Sequence, residues 1–272
     1  MSDITMYNQG NVSDEGKINW RAGDSAVDSG DQSIFDTSTV PLTAHGQVKV
    51  VGDRIFRYGR VGAVAAALKP GQALQINVPL AFSTAAAADP AGGKQITYFF
   101  SSAAASGTVA ANYYAEGYIY FGGTGTSTQM GMSYRVKSHA AVATSGNATI
   151  YLYEPLKYSV SATADGLVLM KNPFDGLIAN ATGAVFCPGI CVVNATTNDY
   201  MWIQTGGPCP VRQAAAGAIQ GTPLALGTSG AALPMLITTA NATYQLSSQI
   251  IGYAMHVGTA SIPGMVWLNI EQ

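Results

Sequence analysis

From about residue 46 onward, apolar and polar residues alternate with a period of two, and the alternation is cut at short intervals by Gly, Pro, Asn and Asp. A period of two puts successive side chains on opposite faces of an extended chain, so this pattern predicts β-strands and tight turns. In "GQVKVVGDRIFRYGRVG", Val48 and Val50 are followed by Ile55, Phe56 and Tyr58, and Gly52-Asp53 between them predicts a β-hairpin. Lys69-Pro70-Gly71 predicts a turn flanked by strands, because Pro presets the backbone and Gly tolerates the left-handed region. "KQITYFFS", "ANYYAEGYIYFGG", "QMGMSYRVKSHAAV" and "NATIYLYEPL" follow at even spacing, with residues 122–128 joining 117–121 to 130–136 as a second hairpin. Further short strands are predicted at 184–186, 190–193, 200–204, 211, 222–226, 231–237, 250–255 and 265–270. The one alanine run, "QAAAGAI", is too short and too near Gly217 to argue for a long helix.

The predicted fold class is therefore all-β: a β-sandwich or barrel over 46–160, then a small C-terminal β-barrel over 161–272. Dense breakers, Pro155, Asp165-Gly166, Pro173 and Asp175-Gly176, place the crossing between the two near 158–180. Residues 1–45 are polar and aperiodic and read as an extended N-terminal arm. Its few apolar points, Ile18, Trp20, Ile34 and Phe35, are candidate anchors that bury on a partner.

"DYMWIQTGGPCPV", from Asp199 to Val211, holds the densest aromatic strand of the C-terminal half. Gly206, Gly207 and Pro208 read as a break, with the strand resuming at Val211. Alternation sets Tyr200, Trp202 and Gln204 on one face and Met201 and Ile203 on the other. One face closes a barrel; the aromatic one either meets a neighbouring molecule or belongs to the same core. Tyr and Trp suit interfaces because they bury much area with few rotamers to freeze.

Charge changes the picture most. Charged residues make up 10% of the chain, against roughly 25% in ordinary soluble domains. None lies between Gln213 and Ile270. A surface so poor in charge points to burial against other subunits, since charge is what keeps freely diffusing molecules apart, the alternative being a Gly/Ala-rich β protein that is merely stable. The net charge of -2 leaves no clustered cationic surface to release counterions from DNA or RNA. Arg54, Arg57 and Arg60, set among aromatic residues, read as interfacial stacking or ion-pairing groups instead. Polar residues interrupt every apolar stretch before it reaches the length of a membrane span, and the N-terminus lacks a basic then apolar leader, which predicts synthesis in a cytoplasm. Cys187, Cys191 and Cys209 have neither disulfide-framework parity nor zinc-site spacing and read as free thiols.

Catalytic constellations are sparse. His45, His139 and His256 form no metal-binding spacing, and no G-x-S-x-G elbow occurs. "GGTGTS" lacks the Lys of a phosphate-binding loop. Glu116, Glu154, Asp165 and Asp175 are the carboxylates a glycosidase would need, but Asp165 and Asp175 precede Gly and Glu154 precedes Pro, which are turn positions. Tyr113, Tyr114, Tyr118, Tyr120 and Tyr134 either stack on sugar rings or pack across strands.

Three segments in order, "NATGAVFCPGICVVNATTNDYMWIQTGGPCPVRQA", "GTPLALGTSGAALPM" and "QIIGYAMHVGTASIPGMVWLNI", resemble the small β-barrel of tailed-bacteriophage capsid decoration (cement) proteins. The shared pattern is Y-x-W-[IV]-Q-x-x-G, a short valine strand, a G-x-x-L loop, and IG-x-A before a last apolar strand. "EGYIYFGGTGTSTQMGMSYRV" and "TIYLYEPL" resemble segments of phage structural proteins that carry this barrel. The resemblance spans roughly 44–272. It implies a non-enzymatic virion protein without a cofactor, which binds the major capsid protein on the outer capsid surface and associates as a homotrimer, with no nucleic-acid or membrane partner. A head-fibre or receptor-binding spike that touches a host glycan is the alternative. Trp20, Phe35, Arg54, Arg57, Tyr200 and Trp202 are the expected interface residues.

Overall fold

The structure is a computed structural model that describes residues 32–64, 66–76, 80–100, 109–122, 130–142, 145–162, 166–181, 186–214, 219–227, 229–235, 249–256, 258 and 262–271. The chain is all-β, with no helix among the described residues and two curled sheets. It divides into two compact units: Met1–Ile76 together with Gly176–Gln272, and Asn77–Asp175 between them.

The first unit begins with β1 (Thr37–Ser38), the hairpin β2 (Val48–Val51) and β3 (Arg54–Val61), and β4 (Leu74–Gln75). The Gly52-Asp53 turn is where the sequence puts it. Val51 pairs with Arg54, and Gly52 takes the left-handed φ of 63° that a two-residue hairpin loop demands. Pro70-Gly71 also turns, with Gln72 N–H donating to the Lys69 carbonyl at 3.2 Å, between the bridges Leu68↔Ala195 and Ala73↔Ile190.

The inserted unit holds β5 (Leu80–Thr84), β6 (Gln95–Phe100), β7 (Tyr118–Phe121), β8 (Ser133–His139), β9 (Gly146–Leu152) and β10 (Gly166–Met170). They form one six-stranded sheet in the order β5-β10-β7-β8-β9-β6. The sheet curls until its edge strands meet at the bridge Ala85↔Tyr98. Its core follows directly from the alternation: Ile96, Tyr98 and Phe100, Ile119 and Phe121, Ile150 and Leu152, Leu167 and Leu169 all point inward.

The chain then returns to the first unit as β11 (Asp175–Ala179), β12 (Ile190–Cys191), β13 (Tyr200–Val211), β14 (Pro223–Leu226), β15 (Ala232–Pro234), β16 (Ile250–Ala254) and β17 (Gly264–Asn269). The sheet order is β15-β14-β16-β17-β13-β3-β11-β4, with β1 and β12 also on β13 and β2 on β3. This partition differs from the linear one drawn at 45/46 and 160/161. The pairing of β3 with β13 ties the early hairpin to the C-terminal strands across the whole inserted unit. Only the crossing back, at Asp175/Gly176, lies in the 158–180 window.

The expected break at Gly206-Gly207-Pro208 is instead the middle of one twelve-residue strand. A β-bulge makes this possible: Gln204 pairs with Phe56 and Gly206 with Ile55, leaving Thr205 as the extra residue. Gln204 Nε2 donates to the carbonyls of Gly206 (3.0 Å) and Pro208 (2.8 Å), and the Thr205 carbonyl accepts from Ile270 N–H at 3.2 Å. Gly207 has φ of 77°, and a Cβ there would overlap the Asp53 carbonyl. The two prolines follow where β3 has already ended, so the missing N–H groups cost that strand pair nothing.

Candidate functional site

The six expected interface residues lie in different settings. Trp20 is outside the described residues. Phe35 is 58% exposed on the segment before β1. Its neighbour Ile34 is not free to anchor on a partner, because it is buried against Phe56, Tyr58 and Trp202 of its own chain. Gln32 fastens this part of the arm. Its side-chain amide donates to the Tyr200 carbonyl at 2.8 Å and its side-chain oxygen accepts from the Tyr58 hydroxyl at 3.0 Å.

Trp202 is 2% exposed. Its indole N–H donates to the Gln32 carbonyl at 3.0 Å, and its ring meets Tyr58 edge-on with centroids 5.0 Å apart. Tyr200 is half-buried, stacked between His45 (5.8 Å) and Tyr58 (6.1 Å). Both faces of the first half of β13 are thus occupied within the chain. Arg57 is also engaged internally: Nε donates to Glu271 Oε2 at 2.8 Å, Nη2 bonds the other carboxylate oxygen, and Nη1 donates to the Gly46 carbonyl. Arg54 lies over the Phe56 ring at 5.6 Å.

A different set of residues forms the outward surface. Along β17 the inward residues are Gly264, Val266 and Leu268, and the outward ones are Met265, Trp267 and Asn269. Register lines the outward set up across four strands. Pro208 of β13 pairs with Trp267, Trp267 with Tyr253 of β16, and Tyr253 with Pro223 of β14. Beside this row, Pro210 pairs with Met265. Trp267 is 46% and Tyr253 48% exposed, and Met265, Met255, Ile250 and Leu233 are exposed as well. Every one of these positions except Pro208 and Pro210 falls in the stretch 213–270, which has no charged residue.

Two large aromatics side by side in a field of Met, Ile, Leu and Pro, with no ion to keep water in place, form a surface that gains by being covered. Sequence reasoning saw the uncharged tract and the strands but not this face. Alternation gives two faces, and only the position of β17 in the sheet says which is outward.

Cys187, Cys191 on β12 and Cys209 on β13 are all buried in the same unit. Burial pushes their thiols up to about 12, 11 and 12 respectively, so they stay protonated and unreactive at neutral pH. Among the described residues no three His, Cys, Asp or Glu side chains converge on a point where a metal ion would sit.

The carboxylates are in the inserted unit. Glu116 pairs with Arg135 and accepts from the Tyr153 hydroxyl, Glu154 accepts from the Arg135 N–H at 3.0 Å, and Asp175 pairs with Lys171 at 2.9 Å. Asp165 is outside the described residues. Tyr114 and Tyr134 belong to the core, whereas Tyr113 and Tyr118 reach the surface. No helix among the described residues is long and apolar enough to cross a membrane. No protein-family model, curated protein or solved structure matches the chain.

Proposed function

We propose that the chain is a non-enzymatic structural protein of a virion, present in many copies, that binds the outer surface of an assembled phage capsid and stabilises it. The observation that carries this reading is the uncharged, outward face of β13, β17, β16 and β14, centred on Trp267 and Tyr253. Such a face is a poor surface for a solitary molecule and a good one for packing on protein. The order of motifs shared with decoration proteins supports the particular assembly, with the major capsid protein as partner and the chain as a homotrimer. Stabilisation would be mass action: a ligand that binds the closed shell and not its loose subunits shifts the equilibrium toward the shell. A second reading, a head fibre or receptor-binding spike, draws on the exposed tyrosines of the inserted unit.

Copy number in purified particles separates the two. Quantitative electrophoresis showing the chain in numbers comparable to the major shell protein supports decoration. A handful of copies per particle supports a spike, and absence from particles overturns both.

A further inference from the structure

The outward face of the six-stranded sheet has a different chemistry from the apolar face of the first unit. Tyr118 of β7 pairs directly with Arg135 of β8, and Tyr153, just past β9, donates its N–H to the Arg135 carbonyl at 3.1 Å. Tyr118, Arg135 and Tyr153 therefore form a row across three strands, with the two tyrosines about 10 Å apart at the usual strand spacing. Tyr151 lies two residues before Tyr153, on the same face. All three tyrosines are exposed.

The polar groups among them are held in place. Arg135 pairs with Glu116 through Nη2 and lies over the Tyr153 ring with its guanidinium carbon 5.3 Å from the centroid. The Tyr153 hydroxyl donates to the other Glu116 oxygen, which raises the phenol's pKa above its ordinary value and keeps it a donor. Glu116 itself sits in the left-handed region with φ of 62°, an unfavourable conformation for a residue with a Cβ. Two backbone bonds hold it there: its N–H donates to the Val136 carbonyl at 2.9 Å, and Asn172 Nδ2 donates to its carbonyl at 2.8 Å. A glycine would relieve that strain, yet the position carries the one side chain that joins Arg135 to Tyr153.

We propose that this face binds a neutral oligosaccharide, with Tyr118, Tyr151 and Tyr153 stacking on pyranose rings and Arg135, Glu116 and Glu154 bonding to their hydroxyls. Flat rings two strand spacings apart match alternate pyranose rings of an extended oligosaccharide, and the C–H faces of a sugar are what an electron-rich ring surface attracts. Arginine and carboxylate side chains supply planar paired donors and acceptors suited to neighbouring hydroxyls. Arg135 and the exposed Lys137 of the same strand, set against Glu116 and Glu154, leave the patch without the excess positive charge that a uronate, sulfate or sialate would need. Because the Tyr153 ring and the Arg135–Glu116 pair are already held in place, those groups lose little conformational freedom on binding. The inference does not depend on the assembly reading, since it concerns the inserted unit alone.

Affinity electrophoresis of the full chain through native gels containing soluble dextran, galactomannan, xyloglucan or hydroxyethyl cellulose tests it, with heparin and hyaluronan gels as the charged comparison. Retardation by at least one neutral polymer is expected, weakened about tenfold in Tyr118→Ala and in Tyr153→Ala. Tyr153→Phe, which keeps the ring and loses the hydroxyl, should retain most of it and serves if an alanine variant fails to fold. Three results overturn the proposal: no neutral polymer retards the wild-type chain, only the charged polymers do, or the folded alanine variants are retarded as strongly as wild type. Failure here leaves the copy-number test untouched, so the two readings fall separately.

Discussion

Trp202→Ala measures how much of the aromatic strand belongs to the core. At 2% exposure nearly the whole ring is out of water, and a Trp side chain buries up to about 250 Å². At roughly 25 cal/mol per Å² its transfer alone is worth about 6 kcal/mol, an upper bound because the unfolded chain is not fully extended. Truncations of buried Trp to Ala cost about 3–5 kcal/mol. The lost indole hydrogen bond adds about 1 kcal/mol and no more, because the Gln32 carbonyl keeps its second donor, Lys49 Nζ at 3.0 Å. The expected total is about 4–6 kcal/mol, read as a shift of the urea midpoint at unchanged slope. Trp267→Ala, which loses a half-exposed ring and its cross-strand pairs with Tyr253 and Pro208, provides the reference at about 1 kcal/mol. If the two variants unfold at the same urea concentration, Trp202 is not the core residue described and the packing argument around it is wrong.

Two further predictions concern the backbone and pH. Gly207→Ala forces a left-handed φ on a residue with a Cβ and drives that atom into the Asp53 carbonyl, so it should cost about 3 kcal/mol or more in urea unfolding; a neutral result would dismiss the bulge at Thr205. His139 is buried with Nε2 accepting from the Tyr114 N–H at 3.1 Å and Nδ1 facing the Ala140 carbonyl at 2.8 Å, and burial lowers its pKa below the ordinary 6.5. Above that value both folded and unfolded states are neutral there and stability is full. As pH falls through about 6.5 the unfolded chain takes up a proton that the folded one refuses, so stability drops until the folded pKa is reached. Melting curves from pH 7.5 to 5 should show this decline in wild type and a flatter profile in His139→Gln; equal slopes would contradict it.

Which parts of this architecture were legible follows from where its information lies. The hairpin at Gly52-Asp53 and the pairing of β7 with β8 are local, so alternation and turn chemistry suffice to read them. The pairing of Tyr58 with Trp202 is not local, and nothing in either strand announces that a whole unit is inserted between them. Gly206-Gly207-Pro208 misleads for a related reason: the same residues that end a strand also build a bulge, and the bonds from Gln204 and the flanking β3 and β17 decide which. Two of the six expected interface residues, Tyr200 and Trp202, are the conspicuous aromatics of β13. Their conspicuousness came from being core, whereas Trp267 and Tyr253 stand outward on strands that looked ordinary.

The proposed decoration role requires the uncharged face to be a protein-packing surface. Sedimentation velocity of the purified chain over a wide concentration range, beside a Tyr253→Lys/Trp267→Lys double variant, tests that most directly. The double variant puts two charges where the face has none, and both sites are about half exposed, so folding should survive while association does not. Wild type sedimenting as a three-chain species and the variant as a single chain is the predicted result. A wild-type chain that stays single at every concentration, or a trimer that the two lysines leave intact, contradicts it.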